Sequence, residues 1–520
     1  MPPLMQSNGV SVGSEPLVIV GIDAGDPDFL QGWVREGHLP TLAGIMERGS
    51  WGRTGGPELI SEHGVWVSLF SGIPRRDHGY YYYRQLRPGT YDLETVTGLD
   101  VDAPPFWTRI EPGRRRFALV DVPDYDPVPG IPGVQLAHWA THNNWDPDHF
   151  VTAAEPADVL ADVSTRFAPR LVTVEKHEST PREDLAMLDE LLARVSLKGA
   201  ACRHLLERGP FDVVAVVFAE SHAANHQFWR YRRELSAAAD DPPALVDGIR
   251  DVYRAIDREV GRLLERLPSE SNVFVVSSVG MEDDFPANGL IEAFCLGFGY
   301  RTPAGPPGTG RPARPIDLLR RAVPERWRLA LSRRLSRETR ERLLADQFRA
   351  STDWTRTQAF AIPSAYTSFV RVNLRGREPA GIVEPGAKYE SLLGRIEADL
   401  ATLVDPESGA PAVVRTTRTI EAFGSGPHPT LPDLWIEWKP GRFLTRVVHP
   451  GGELVQRKPD FFRRSDHCRS GFFAAAGPAV AARGDIGEVD VLDLSPTFLA
   501  LIGEPPVPRM TGRPIGSLLA

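Results

Sequence analysis

The chain is poor in the features that mark disulfide-rich, membrane-spanning or nucleic-acid-binding proteins. Its 520 residues include only three cysteines, Cys202, Cys295 and Cys468, an odd number with wide spacing. This usage excludes a disulfide framework and fits a reducing compartment. No run approaches the roughly 18 consecutive apolar residues of a membrane-spanning helix. The formal net charge of −9 argues against broad binding to nucleic acid or to anionic membranes.

A targeting signal is also missing from the first residues. Met1 to Pro16 are polar and contain no basic segment followed by an apolar one, so the sequence predicts a soluble, cytoplasmic protein. Charged residues make up 24% and hydrophobic residues 42% of the chain, as in ordinary globular proteins. At 520 residues the chain exceeds the usual size of a single core. We therefore expect one large α/β domain with a sizeable insertion.

Largely apolar runs that are typical of buried strands recur along the chain. They cover residues 17–23, 117–122, 213–219 and 272–278. Helical patterns separate the runs, at residues 40–48, 184–207 and 244–267. Strands that alternate with helices predict a mostly parallel central sheet with helices on both faces. In such a fold, functional residues lie at the carboxyl ends of the strands.

Residues 301–349 differ in composition from the rest of the chain. They are rich in Arg, Pro and Gly at first and then become strongly cationic and helical. This segment predicts an inserted lid or cap, with a basic surface helix as the alternative. The predicted division is an α/β core of residues 17–300 and 425–520 with an insertion at 301–424. Residues 489–501 are expected to form a closing helix.

Three histidines carry the strongest chemical signal. His222 and His226 follow the apolar run at 213–219, and His226 comes four positions after His222, so they share one face of a helix and can reach one ion. His467 lies just before another apolar stretch. The alternative is that these histidines are satisfied core residues or the remains of a lost site.

Several motifs occur in an order that resembles the alkaline phosphatase superfamily, in particular its type I phosphodiesterase and nucleotide pyrophosphatase branch. The motifs are residues 21–26 (GIDAGD), 39–49 (LPTLAGIMERG), 66–79 (WVSLFSGIPRRDHG), 353–360 (DWTRTQAF), 371–377 (RVNLRGR) and 494–499 (LSPTFL). The resemblance extends from about residue 17 to the end of the chain. It implies an alkaline phosphatase-like α/β fold and a metal-dependent hydrolase.

The resemblance also implies a metal-ligand pattern, from which this chain departs. In such enzymes one ion is held by an Asp, a His four residues later and a C-terminal His. The other ion is held in part by an Asp that follows the first strand, and Asp23 matches this Asp. His226 and His467 match the two histidines that hold the first ion. The departures are His222 in place of Asp, Ser278 and Val279 in place of an Asp-His pair, and Glu62, preceded by Ser61, at the nucleophile position.

These departures favour one ion over two. Asp23, Glu62 and Ser278 are too few protein ligands to hold a second zinc ion tightly. Three histidines with Glu62 as a fourth ligand suit one catalytic Zn²⁺, although Fe, Mn or Co fit the same ligands. Glu62 is a candidate ligand, base or nucleophile, and Asp23 is expected to line the site. A shift of one residue in the comparison would instead make Ser61 the nucleophile.

The sequence therefore predicts a metal-dependent hydrolase with an atypical mononuclear three-histidine site, acting on a small metabolite that is phosphorylated or otherwise anionic. Three alternatives stay open: a conventional phosphodiesterase that uses Ser61, an iron-dependent redox enzyme on the same fold, and an inert relic that serves as a binding protein. We expect a small-molecule substrate and neither a nucleic-acid polymer nor a membrane as partner. The oligomeric state does not follow from the sequence.

Overall fold

A nine-stranded sheet forms the centre of the described part of the molecule. The computed structural model describes residues 15–141, 150–167, 179–232, 241–305, 336–459 and 462–520. In spatial order the strands are β19 (Gly484–Asp490), β2 (Ser50–Gly55), β18 (Gly471–Ala476), β9 (Asn272–Ser277), β1 (Leu17–Ile22), β8 (Val213–Phe218), β5 (Phe117–Val120), β6 (Gly133–Ala137) and β7 (Ala153–Glu155). Five of the eight neighbouring pairs are parallel, which confirms the predicted α/β class.

Helices cover both faces of this sheet. The helices of the described residues are α1 (Pro27–Arg35), α2 (Pro40–Arg48), α3 (Val65–Ser71), α4 (Arg75–His78), α5 (Asp158–Arg166), α6 (Pro181–Leu206), α7 (Glu220–Phe228), α8 (Pro243–Val246), α9 (Gly248–Leu264), α10 (Asn288–Gly297), α11 (Arg337–Ala350), α12 (Ala387–Ala401), α13 (Thr419–Phe423) and α14 (Leu494–Leu501). A Cβ on Gly21 would lie 2.9 Å from Trp66 of α3. The next residue, Ile22, points to the opposite face, where it lies close to Tyr253 and Ile256 of α9.

The central strands follow directly from their composition. Every residue of β1 and of β8 is buried, because each strand has a parallel neighbour on both sides and helices on both faces. The helix boundaries also have local causes. Asp26 accepts hydrogen bonds from the backbone N–H groups of Asp28 and Phe29 and so caps α1. Thr180 and Glu183 form a capping box at the start of α6.

A second, antiparallel sheet lies outside the large one. Its order is β11 (Ala359–Ile362), β12 (Ser368–Val372), β14 (Leu434–Trp438) and β13 (Val413–Arg418). Three two-stranded ladders complete the strands: β3 (Arg84–Leu86) with β4 (Leu93–Thr95), β10 (Gly280–Glu282) with β17 (Asp466–Cys468), and β15 (Arg446–His449) with β16 (Gly452–Val455). Helices α10 and α12 share a separate hydrophobic core with the second sheet.

Three features of the predicted organisation meet the structure only in part. The closing helix begins at Leu494 rather than at 489, because residues 489 and 490 end β19. Most of the arginine-rich segment, residues 306–335, lies outside the described residues. The division into a core and a 301–424 insertion stays a prediction, and the second sheet includes β14, beyond residue 424. Within the described ranges, no helix is long and apolar enough to cross a membrane.

Candidate metal centre and active site

The three histidines converge at the carboxyl edge of the large sheet. Helix α7 starts directly after β8 and carries His222 and His226 on successive turns. His467 lies on β17, where it is the pairing partner of Met281 on β10. One nitrogen from each of the three rings lies within 4.8 Å of the other two. His467, which is 241 or more positions from the other two histidines in the chain, thus joins them in one cluster.

The distances between the ring nitrogens fit a shared metal ion. Nε2 of His467 lies 3.2 Å from Nε2 of His222 and 3.3 Å from Nε2 of His226. A ring nitrogen has one proton or one lone pair, so His467 Nε2 cannot align with both neighbours as hydrogen-bond partners. A tetrahedral zinc ion with bonds of about 2.0–2.1 Å separates its nitrogen ligands by about 3.3 Å. Two of the three nitrogen–nitrogen distances therefore match the spacing that one ion requires.

The surroundings keep at least one of these rings neutral. Burial lowers the pKa of His467 to about 4, with the nearby Arg463 acting in the same direction and Glu62 opposing it. A neutral imidazole has a lone pair to offer to a metal ion. The Oγ atom of Ser465 lies 3.3 Å from Nδ1 of His226, on the side of the ring away from His467. Such a contact orients a ligand ring.

Glu62 lies beside the cluster and outside it. Its Oε1 atom lies 2.5 Å from Nδ1 of His63. Burial by itself raises the pKa of the Glu62 carboxyl, but the charge and the hydrogen bond of His63 outweigh burial and hold the pKa well below its usual range. The carboxylate is therefore ionised at neutral pH. In the described part of the chain, the group of ligand atoms within 4.8 Å of one another comprises the three histidines alone.

Ser61 precedes Glu62 in the chain, but its hydroxyl has another partner. Its Oγ donates a 2.6 Å hydrogen bond to the backbone oxygen of Tyr81 and lies 3.4 Å from Oε2 of Glu62. The shorter contact has the better geometry and therefore directs the hydroxyl proton away from Glu62.

Asp23 lies at the end of β1, as its sequence position predicts, in a network of hydrogen bonds. Its Oδ1 accepts hydrogen bonds from Trp66 Nε1 at 2.7 Å and from Ser278 Oγ at 3.1 Å. The Ser278 hydroxyl in turn accepts the backbone N–H of Ala24 at 3.3 Å. Next to Ser278, Val279 is buried and apolar. This is the region where the sequence resemblance would place a second ion.

A buried group of charges lies under the first turn of α7, and the sequence pattern did not reveal it. Lys198 is fully buried and donates to the backbone oxygens of Ala140 and Val217, both at 2.9 Å. Its Nζ also lies 3.2 Å from Asp121 Oδ2 and 3.4 Å from Glu220 Oε1. The ion pair with Lys198 therefore fixes Glu220, the first residue of α7, and helps to position the helix that carries two of the histidines.

A cavity of about 580 Å³ opens beside the histidines. Its lining includes His222, His467 and the three candidate residues Asp23, Ser61 and Glu62. Tyr80, Tyr82 and Tyr83 form part of the wall, in a segment without strand structure, whereas Tyr81 is packed in the core. Arginines complete the lining: Arg84, Arg194, Arg337, Arg340 and Arg463. The volume is that of a small-molecule site.

Comparison with known proteins agrees with this architecture. The family model described as type I phosphodiesterase / nucleotide pyrophosphatase matches residues 17–294. Phosphonoacetate hydrolase from Sinorhizobium meliloti 1021, solved in complex with phosphonoformate, has a TM-score of 0.51 and 14% identity, and the match covers 94% of this chain and 96% of that chain. Human ectonucleotide pyrophosphatase / phosphodiesterase 5 has a TM-score of 0.50 and 10% identity, with 97% and 100% covered. A search of curated proteins finds no match.

Proposed function

We propose that this chain works with one metal ion rather than two. The chain is a hydrolase and belongs to the type I phosphodiesterase and nucleotide pyrophosphatase family of the alkaline phosphatase superfamily. The ion would be held by His222, His226 and His467. The observation that carries the proposal is the approach of their Nε2 atoms to 3.2 and 3.3 Å, the spacing of nitrogen ligands around one tetrahedral ion. The substrate would be a small metabolite with a phosphorylated or otherwise anionic group.

The contacts of Asp23 support a single ion. Oδ1 of this carboxylate accepts hydrogen bonds from Trp66 and Ser278, and these donors stabilise its negative charge without a cation. Val279 offers no ligand atom. A second ion there would gain few protein ligands, which zinc does not tolerate in a tight site.

Zinc suits the three-nitrogen set best, although Fe, Mn and Co use the same ligands. When bound there, such an ion supplies Lewis-acid polarisation and acidifies water. Glu62, ionised and lining the same cavity, would accept a proton from the attacking water. His63 holds this carboxylate at 2.5 Å and so restricts its orientation. Asp23 would keep the adjacent wall polar.

A second candidate is a conventional phosphodiesterase that uses Ser61 as the nucleophile. It is favoured by one observation: Ser61 Oγ lines the cavity at 3.4 Å from Oε2 of Glu62, which could accept its proton. The Ser61 hydroxyl donates its proton to the backbone oxygen of Tyr81 at 2.6 Å, and this is the proton that a base would have to remove. The contact therefore favours Glu62 as a base for water over Ser61 as a nucleophile.

Metal analysis tests the proposal. Protein purified without added metal should contain close to one ion per chain, and His222→Ala should lose it. His449→Ala, a histidine on β15 outside the cluster, is the matched control and should keep it. Two ions in the wild-type protein would overturn the single-ion proposal. Absence of a tightly bound ion would favour an inert binding protein, and iron would favour the redox alternative.

Hydrolysis of 4-nitrophenyl phosphate, bis(4-nitrophenyl) phosphate and a 4-nitrophenyl carboxylic ester, measured on the same preparations, identifies the bond that is cleaved. We expect the phosphomonoester to be the poorest substrate, because one ion cannot clamp both the attacking and the leaving oxygen. A cytoplasmic location, supported by the low cysteine content, stays a prediction.

A further inference from the structure

Helix α11 forms a wall of the cavity that contains the histidines. Arg337, Arg340 and Leu344 line the same space as His222 and His467. Spacings of three and four residues place side chains on one face of a helix. One face of α11 is therefore directed into the cavity that His222 and His467 also line.

Contacts on the rest of the helix hold α11 in this orientation. Glu341 accepts two hydrogen bonds from the guanidinium of Arg84, at 2.7 Å from Nε and at 2.8 Å from Nη2. This paired geometry is the strongest that an arginine makes with a carboxylate. Near the end of the helix, Phe348 is buried in a cluster of aromatic side chains, and Arg349 donates to Asp92 at 2.6 Å.

The charges on this wall do not cancel. Glu341, the acidic residue of α11 that lines the cavity, is neutralised by Arg84. Arg340 forms no ion pair with a carboxylate of the described residues. The Arg337 guanidinium lies 4.9 Å from the centre of the Tyr83 ring, and that of Arg84 lies 5.0 Å from the same ring. The α11 side is therefore positively charged, and two guanidinium groups lie near the Tyr83 ring.

The histidine side of the cavity has the opposite character. The carboxylates of Asp23 and Glu62 line it, and the pKa of Glu62 lies below its usual range. An anionic group that is not bound to the proposed metal ion is repelled there and attracted to Arg337 and Arg340. The side chains of Tyr82 and Tyr83 line the same cavity as the histidines and the arginines of α11.

We propose that Arg340 and Arg337 form a subsite for a second anionic oxygen group of the substrate, a carboxylate or a phosphate, remote from the bond that is cleaved. The inference rests on the proposed function, because the histidine centre anchors the reacting end. Tyr82 and Tyr83 would contact the apolar segment between the two anionic groups. The substrate class is therefore a molecule with two anionic ends.

Binding of matched probes to the zinc-loaded protein tests this subsite. The probes are alkylphosphonates of increasing chain length that end in a carboxylate, a second phosphonate or a methyl group, measured by titration calorimetry. At one matching length we expect a charged end to bind about tenfold more tightly than the methyl end, the effect of one charge-assisted hydrogen bond. The carboxylate and phosphonate series show which of the two anionic groups fits.

Substitutions on α11 provide the controls. Arg340→Met should abolish the preference for a charged end and leave binding of the methyl-ended probe unchanged, and Arg337→Met should reduce the preference. Arg342→Met changes an arginine of the same helix that does not line this cavity, so it should keep the preference. Thermal unfolding of each variant verifies that the helix remains packed.

The outcomes separate the subsite from the proposed function. Equal affinities of charged and methyl-ended probes at every length would overturn the subsite, as would a preference that survives Arg340→Met or is lost in Arg342→Met. If the protein bound no metal but kept a preference that depends on Arg340, the subsite would stand and the single-ion hydrolase would fall. A bound ion without the preference would give the reverse result.

Discussion

The indole Nε1 of Trp66 donates a 2.7 Å hydrogen bond to Oδ1 of Asp23. The hydroxyl of Ser278 donates to the same oxygen at 3.1 Å. An oxygen with two such donors is stabilised as an anion without a metal ion. The sequence resemblance assigns this carboxylate to the second ion of a two-metal site. In this chain, two neutral donors contact one oxygen of this carboxylate.

Restoring ligands at this position should create a second metal site. The double variant Ser278→Asp with Val279→His introduces the acid and the imidazole that the resemblance places there. We expect the metal content to rise from about one to about two ions per chain, measured by mass spectrometry after dialysis. Val279→His alone should stay near one ion. A content that does not change in a folded double variant would contradict the expectation that these two ligands complete a second site.

Glu62 should matter more for turnover than Ser61. Glu62→Gln keeps the shape of the side chain but cannot accept a proton, so we expect kcat to fall about 100- to 10,000-fold with little change in KM. Ser61→Ala should lower kcat less than about tenfold. Steady-state kinetics on the best 4-nitrophenyl substrate decides between them. Loss of activity in the serine variant alone would establish the conventional phosphodiesterase mechanism.

Lys198 should be essential for stability. Lys198→Met removes the cation between Asp121 and Glu220 and leaves both carboxylates buried without it, which costs about 3–5 kcal/mol. Lys388→Met, an exposed lysine on α12, should change stability by less than about 0.5 kcal/mol. Urea unfolding measures both. A small loss of stability in Lys198→Met would mean that water reaches the two carboxylates after the substitution.

Glu282 should make the protein less stable as the pH rises. Burial, with the nearby Glu437 and Asp283, raises its pKa to about 7 in the folded chain, above the ordinary value of 4.5. The folded state therefore binds more protons than the unfolded state between pH 4.5 and 7, and stability falls as the pH rises through this range.

Removing the Glu282 charge tests the sign of this dependence. Glu282→Gln should be more stable than the wild type at pH 8, by about 1–2 kcal/mol after allowance for partial exposure, and should show little gain at pH 4. Glu453→Gln, at an exposed position on β16, should show no such difference. Thermal unfolding across this pH range reports the result, and an equal gain at both pH values would exclude titration as the cause.

The apolar runs predicted β1, β8 and β9 within one or two residues, because strands with neighbours on both sides must be apolar along their whole length. The four-residue spacing of His222 and His226 placed them on one helix face, as α7 shows. The four consecutive tyrosines Tyr80 to Tyr83 show where such local patterns stop being decisive. Their composition suits an alternating strand as well as a pocket wall, and neighbours distant in sequence, such as Phe369 and Trp435, decide which side chains are buried.

By itself, the sequence determined the α/β class, the helix that carries two histidines and the residue types available for one metal ion. These properties are local, because periodicity and spacing act over a few residues. The tertiary structure alone decided that Trp66 binds Asp23, that Lys198 lies under Glu220 and that α11 faces the histidines. Such contacts join residues far apart in the chain, and side-chain packing, which no local pattern encodes, selects the partner of each buried polar group.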